Sequence, residues 1–373
     1  MTRATPGTLV VAAVLLWAAP LHGQGSSVYT QGACVSGRGG AAVATPCADA
    51  SSIYYNPAAI AASPSAVSAG FSLIRNTGSF TYDSTGVVVD REPGTPIVPQ
   101  LYASYRMGGR WAAGIGFFAP YGLGIQWPES FEGRFISRDT ELQGLFLQPT
   151  VAWRAAPELS IGFGLDIVFG GLELNRSLDG PLENAQLMAL GIPLGTDIAR
   201  GKLSGSGVGL GGHLGIYYEP SDRFAVGARY MHSVRLDLEG DAEFDQVATG
   251  RTVIIPDPET GEPTPVPLDA LVAPQFGPGA PLSDQDVSAE LTLPAQAVLG
   301  IRIGVTPDLD LSADYQWTGW SSFDRIVAEF EFAPDLPLEL EYEDTHGIRV
   351  GTEYRATRAL DLRAGFVYNT AAS

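Results

Sequence analysis

The sequence predicts an all-β fold, an antiparallel transmembrane β-barrel, and three observations carry that expectation. From Ala66 onward apolar and polar residues alternate in run after run. Tight polar turns close these runs at one end and long loops at the other, the layout of an outer-membrane barrel whose strands alternate lipid-facing and lumen-facing side chains. After the first 20 residues no stretch approaches the roughly 20 consecutive apolar residues that a membrane-crossing helix requires. One such run alone would suit a half-buried strand of a soluble sandwich; the serial repetition points to a barrel.

Composition narrows the function. Of 373 residues, 22 are basic and 41 acidic, a net charge of -19, and a nucleic acid would need the opposite balance to neutralise its phosphates. With 45% hydrophobic and 17% charged residues the chain is far too apolar for a disordered acidic protein.

The N-terminus reads as a secretory signal over residues 1–23: Arg3, the apolar stretch Leu9 to Ala19, then Pro20, Leu21, His22 and Gly23. Its 11 apolar residues are too few to span a bilayer. Cys34 and Cys47 are the only cysteines, and in the oxidising compartment that export implies they are candidates for one short-loop disulfide. Residues 24–65 do not alternate and are rich in Gly, Ala and Ser, small residues that pack closely in a confined space.

The barrel is expected over residues 66–373, with Ala66 to Phe80 as its first strand. Five short turns follow, at Gly108-Gly109, Ala156-Pro157-Glu158, Pro220-Ser221-Asp222, Pro307-Asp308 and Ala356-Thr357-Arg358; each is flanked by two strand-like runs, so the chain holds about eleven strands. Between Phe224 and Leu238, the residues Phe224, Val226, Ala228, Tyr230, Val234, Leu236 and Leu238 are expected to face one way, and Gly227, Arg229, Ser233, Arg235 and Asp237 the other. Leu309 to Thr318 and Leu360 to Asn369 alternate in the same manner. Long loops are expected near 81–96, 121–139, 179–200, 244–285 and 321–337, and weak alternation from Phe323 to Phe332 leaves the strand count open there. Bacterial single-chain barrels have even strand counts, so eleven implies at least one further strand.

Within 24–65, the stretch Gly37-Arg38-Gly39-Gly40-Ala41-Ala42-Val43-Ala44, the step Asp49-Ala50-Ser51 and above all Tyr55-Asn56-Pro57-Ala58 resemble the N-terminal hatch of FadL-type outer-membrane transporters of long-chain fatty acids and other hydrophobic compounds. Ala119-Pro120-Tyr121-Gly122-Leu123, Trp127-Pro128, Gly133-Arg134-Phe135, Trp317-Thr318-Gly319-Trp320-Ser321 and Leu362-Arg363-Ala364-Gly365-Phe366 resemble the same family, in order. The resemblance implies a hatch-plugged barrel of about 14 strands, truncated here at its C-terminus, in the outer membrane of a Gram-negative-type envelope. Arg38, Tyr54, Tyr55, Asn56 and Pro57 then belong to a hatch that gates the channel, Asn56 holding hatch backbone groups and Pro57 setting the bend. The two cysteines depart from the family's pattern, and a bond between them would restrict how far the hatch rearranges.

A fatty acid needs apolar surface for its tail and a charge-paired hydrogen bond for its carboxylate. All the basic residues but Lys202 are arginine, which holds a carboxylate through two parallel bonds. Arg229 and Arg349 lie on the polar phase of their strands near mid-depth and are the expected lumenal contacts, unless each pairs with a neighbouring-strand carboxylate such as Asp166, Asp314 or Glu353. Leu182, Leu187, Met188, Leu190, Ile192 and Leu194 crowd one long loop, and Leu268, Leu271, Val272 and Phe276 the next. Exposed apolar clusters mark binding surfaces; the resemblance implies an outer groove that first captures substrate, the alternative being that these side chains pack on one another. The partners implied are hydrophobic small molecules, fatty acids or aromatic hydrocarbons, together with outer-membrane lipid.

A catalytic barrel is the competing class. Past the signal there are three histidines, His213, His232 and His346, with His232 on the lipid-facing phase, and no nucleophile and base pair is legible from spacing. No catalytic residue, metal or cofactor is expected. The acidic stretches Asp237 to Asp245 and Glu339 to Asp344 read as solvated faces, because alternating carboxylates on a strand do not converge on one point.

Overall fold

The computed structural model describes residues 25–28, 30–257, 261–323 and 325–372; the signal expected over residues 1–23 lies outside them. The wall begins with β1 (Ala66–Leu73), and the loop after it carries its own small hairpin, β2 (Ser79–Thr81) and β3 (Val88–Asp90). Next come β4 (Ile97–Gly108), β5 (Trp111–Gln126), β6 (Asp139–Arg154), β7 (Leu159–Asp179) and β8 (Asp197–Ser221). They are followed by β9 (Phe224–Met231) and β10 (Val234–Gln246), then by a loop hairpin of β11 (Thr252–Pro256) and β12 (Pro263–Pro267). The chain returns through β13 (Gln285–Leu293), β14 (Gln296–Thr306), β15 (Leu309–Thr318), β16 (Arg325–Phe330), β17 (Leu336–Glu339), β18 (Thr345–Thr357) and β19 (Leu360–Asn369).

Eleven strands follow one another round the wall in the order β1-β4-β5-β6-β7-β8-β9-β14-β15-β18-β19, and every neighbouring pair is antiparallel. The five turns fall where Gly, Pro and Asp cluster. At the first, Gly108 and Gly109 take φ of 86° and 59°, the left-handed region that glycine enters without strain.

The expected strand bounds need correction in three places. The first strand ends at Leu73, not Phe80, which belongs to the loop hairpin. β5 runs on to Gln126, into the loop expected from 121. The loop expected at 321–337 is instead the hairpin β16–β17, whose first strand pairs with β13, so the weak alternation there was a true strand.

A further correction concerns which side chains face in. In β9, Ala225, Gly227, Arg229 and Met231 point inward, as the alternation predicts. Above the break at His232-Ser233 the phase inverts: Val234, Leu236 and Leu238 are buried in the lumen, and Arg235 and Asp237 face out. One residue out of register moves every later side chain to the opposite face. The same level is interrupted in the neighbours, at Pro294-Ala295 between β13 and β14, at 319–323 between β15 and β16, and at 340–344 between β17 and β18. Below these breaks the outward face is lipid-like, with Ile115, Phe163, Leu299, Leu311 and Ile348 exposed. Trp111 stacks on Trp153 at 6.1 Å near the short turns. At the breaks, the Tyr230 and Tyr315 hydroxyls hydrogen-bond the His232 and His346 rings at 3.0 and 2.7 Å. These two levels are the aromatic girdles of a membrane band. No helix among the described residues is long and apolar enough to cross a membrane.

The wall curves round its own N-terminal segment. Residues 33–61 form three short helical turns and touch strands from one edge of the sheet to the other: the Ser68 hydroxyl of β1 donates to the Asp49 carbonyl at 2.5 Å, and at β19 Gly39 lies against Gly365 and Phe366. Above this hatch the lumen is a packed apolar core of Phe118, Tyr121, Phe146, Met231, Leu236 and Trp320.

Candidate functional site

Asn56 joins the segments of the hatch. Its extended backbone (φ −160°) ends one helical turn and its side chain accepts from the Ala58 amide at 3.1 Å, capping the 3-10 helix Pro57–Ala61. Pro57 sits at the first helical position, where its missing N–H would be unsatisfied anyway. The other end of the amide donates to the Val43 carbonyl (2.8 Å) and, across to the wall, to the Ile216 carbonyl (3.0 Å). One side chain therefore fastens two hatch segments to each other and to β8.

The wall makes room for this with glycines that the sequence reading passed over. A Cβ at Gly162 or Gly215 would collide with the Asn56-Pro57-Ala58 turn, and one at Gly227 with the Val43 carbonyl. These three lie inward on the adjacent strands β7, β8 and β9. Farther round, Gly300 clears Val43, while Gly351 and Gly365 clear Arg38. The legible signal was glycine recurring on the inward phase of strands, which weakens a strand unless another backbone must approach closely.

Arg229 and Arg349, expected as lumenal cations, come together at the hatch. They line one cavity of about 10 Å³ with Gly40, Tyr54, Tyr55 and Asp314, barely room for a water. Arg229 is 4% exposed; its guanidinium donates to the Tyr54 carbonyl at 2.8 Å and to the Gln296 side chain, and lies 4.6 Å over the Tyr54 ring. Its partners are thus hatch backbone, an amide and a π face. Arg349 packs its stem on Gly40, where a Cβ would come within 2.7 Å. Asp314 of β15 accepts both the Ala42 and Val43 amides, at 2.7 and 3.0 Å. Arg38 donates to the Thr45 carbonyl and to Cys47 Sγ, at 2.7 and 2.8 Å, with Glu353 of the wall 3.6 Å away. Cys34 and Cys47 are bonded, closing a ring that contains Arg38, Gly40, Ala42 and Val43.

The lumen floor beside the hatch holds a polar cluster that spacing could not reveal, because its members come from three strands. His213 Nδ1 lies 2.5 Å from Asp166, its Nε2 lies 3.0 Å from the Thr150 hydroxyl, and Gln148 donates to Asp166 at 2.6 Å. The order of groups is that of a hydroxyl, imidazole and carboxylate relay. All are buried, and Gly164 lies against the ring so closely that a Cβ there would come within 2.7 Å of Nε2. The cluster's hydrogen bonds tie β6, β7 and β8 together.

The expected groove residues divide. Leu187, Ile192, Leu268 and Val272 are buried with Leu178, Ile198 and Leu282 in a small core that joins the two loops, and Leu271 and Phe276 pack on its margin. Leu182, Met188, Leu190 and Leu194 are exposed. Next to this core a groove of about 410 Å³ runs between the loops and the upper wall, lined by Leu203, Phe244, Leu282, Phe330 and Leu336 with Arg176 among them. Strand and loop residues share that lining, and none of the loop residues expected to form the capture groove is part of it. Lower down the wall is incomplete: β4 pairs with β5 only as far as Gln100 and Phe118. Beyond that pair a space of about 990 Å³ opens between Ile97–Pro99 and 121–126. Ser26 and Val28 exchange backbone hydrogen bonds with Gly122 and Pro120 across part of it.

Residues 9–373 match the model of one family, the outer membrane protein transport proteins (OMPP1/FadL/TodX). The chain belongs to that family. Its FadL-type fold is seen in the crystal structure of a Pseudomonas aeruginosa FadL homologue, with a TM-score of 0.75 at 21% identity, covering 94% of this chain and 82% of that one. It is seen again in the Ralstonia pickettii toluene transporter TbuX, with a TM-score of 0.65 at 23% identity over 94% and 87%. In sequence the chain is 25% identical over 285 residues to the long-chain fatty acid transport protein of Escherichia coli O6:H1, a match covering 74% of this chain and 60% of that protein. The chain thus spans about 60% of the length of such a relative. As a member of this family it is an outer-membrane protein.

Proposed function

We propose that this protein is an outer-membrane channel for uptake of hydrophobic compounds, with long-chain fatty acids as the favoured substrates. The observation that carries the reading is the run of apolar surface from the loop groove through the lumen core to a hatch faced by two buried arginines. Substrate partitions into the groove beside Phe244 and Leu282, where burying a tail gains about 0.8 kcal/mol per methylene. It then displaces the lumen side chains, brings its carboxylate toward Arg229 and Arg349, and leaves as the hatch near Tyr54, Tyr55 and Asn56 shifts. The named relatives are transporters and channels, and no step here requires a covalent intermediate.

A neutral aromatic substrate is the second reading. It is supported by the stacked rings of Tyr102, Phe118 and Phe146, whose neighbouring centroids are 5.4 and 6.1 Å apart. Uptake of radiolabelled oleate and toluene by cells carrying the full-length gene separates the two. Arg229→Ala and Arg349→Ala are expected to weaken oleate binding about tenfold or more relative to toluene, the scale of one lost charge-assisted bond. Loosening the hatch would affect both ligands alike, so equal losses would remove the carboxylate contact.

A further inference from the structure

The carboxylate of Asp314 occupies a place that a substrate carboxylate could take. One of its oxygens accepts two successive hatch amides, Ala42 and Val43; the other is buried without a hydrogen-bond partner. It shares a cavity with Arg229 and Arg349. Arg38, Arg229 and Arg349 are each at most 4% exposed, and the acids nearby are Asp314 itself, Asp49 and the Glu353 that also pairs with Arg363. Arg229 Nε is buried and unpartnered. The site is therefore rich in buried donors, and Asp314, the acid that accepts the hatch amides, is supplied by the wall.

The amides that Asp314 holds belong to the ring closed by Cys34 and Cys47. Pulling that ring off the wall would strand two buried amides without an acceptor, which is unfavourable. A second carboxylate removes that penalty because it replaces the acceptor group for group. A neutral hydrocarbon has no acceptor oxygen, and an alcohol offers only one, uncharged and weaker.

Building on the fatty acid reading, we infer that Asp314 is the latch of the hatch and that a substrate carboxylate opens it by exchange, taking the Ala42 and Val43 amides from Asp314 and freeing the disulfide-closed ring from β15. In this scheme selection for carboxylates occurs at hatch release as well as at binding.

Hydrogen exchange of the Ala42 and Val43 amides tests this in the full-length protein in detergent, with oleate and with oleyl alcohol, beside calorimetric binding of each. Oleate is expected to speed exchange at both amides about tenfold or more, the equivalent of 1.4 kcal/mol, while bound oleyl alcohol leaves it unchanged. Asp314→Ala should exchange fast without ligand and, once oleate holds the two amides, slow to the rate of the oleate-bound native protein; Asp314→Asn, which keeps the acceptor oxygen and the packing, should lie between. A variant that lacks the heat-modifiable migration of a folded barrel is set aside in favour of the other. If oleate binds and neither amide responds, or if the alcohol acts as oleate does, the latch is wrong while the uptake reading stands, with release then directed to the gap between β4 and β5. If oleate does not bind at all, the fatty acid reading fails and the latch with it.

Discussion

At Gly227 a single methyl group decides whether the hatch can lie against the wall. A Cβ there would occupy the space of the Val43 carbonyl and crowd Asn56 Nδ2, the two atoms that join hatch segments to each other. Overpacking of this kind costs about 1–3 kcal/mol, and the wall, held by continuous ladders on both sides of Gly227, is the stiffer partner. Gly227→Ala should therefore unseat the hatch and leave the barrel folded. Limited proteolysis within residues 25–65 should quicken in protein that still migrates as a folded barrel, whereas Gly124→Ala, where a Cβ meets nothing within 4 Å, should not change it. An unaltered cleavage rate in the Gly227 variant would mean that the contact does not hold the hatch. Asn56 was legible in sequence through its motif; the glycines it rests on were not, since their meaning depends on which backbone comes to lie against them.

Among the elements, the loop from 247 to 284 shows how far apolar pattern alone misleads. Its leucines and those of the loop at 180–196 suggest an exposed surface, yet half of them form a core with one another, because apolar side chains on neighbouring loops bury each other before any ligand arrives. A polar tie secures the loop: Asp269 accepts the Thr249 hydroxyl at 2.6 Å and the Thr249 amide at 2.9 Å. Those two bonds hold its carboxyl below the ordinary value of 3.8. A depressed folded value contributes stability that is present above 3.8 and is lost as pH falls through the folded value. The loop should hence loosen in strong acid, and Thr249→Val, which removes the first of the two donors, should move the Asp269 titration upward toward 3.8. Carboxyl carbon chemical shifts followed against pH would show this; an unchanged Asp269 midpoint in the variant counts against the tie. The phase inversion between β9 and β10 belongs to the same scale. Both halves alternate well, and only the pairing with β13 and β14 reveals the slipped register.

For the molecule as a whole, the wall and the hatch are held by different forces. Ladders between long strands hold the wall, β7 and β8 pairing from Leu159 to Asp179; the hatch relies on side-chain anchors and on a disulfide between residues 13 apart. Closing a loop near this length is worth about 3 kcal/mol in chain entropy, a large share of the stability of so small a segment. Replacing both cysteines with serine should therefore raise exchange and proteolysis in residues 34–47 while the temperature at which the barrel loses its folded migration stays within a few degrees. A barrel that melts far earlier would show instead that the hatch supports the wall.

The alternation by itself determined the barrel, its eleven strands and the short turns at one end, because lipid outside and a closed lumen inside impose opposite solvents on alternate residues. The hatch motif was equally local, a stretch of small residues around Asn56 and Pro57. Tertiary structure alone decided that Arg229 and Arg349 meet at one cavity, that Asp314 holds the hatch amides, and that Thr150, Asp166 and His213 converge. Each of these depends on register between strands far apart in the chain and on a backbone lying flush against glycine, and a distance across a barrel is not written in the spacing along it.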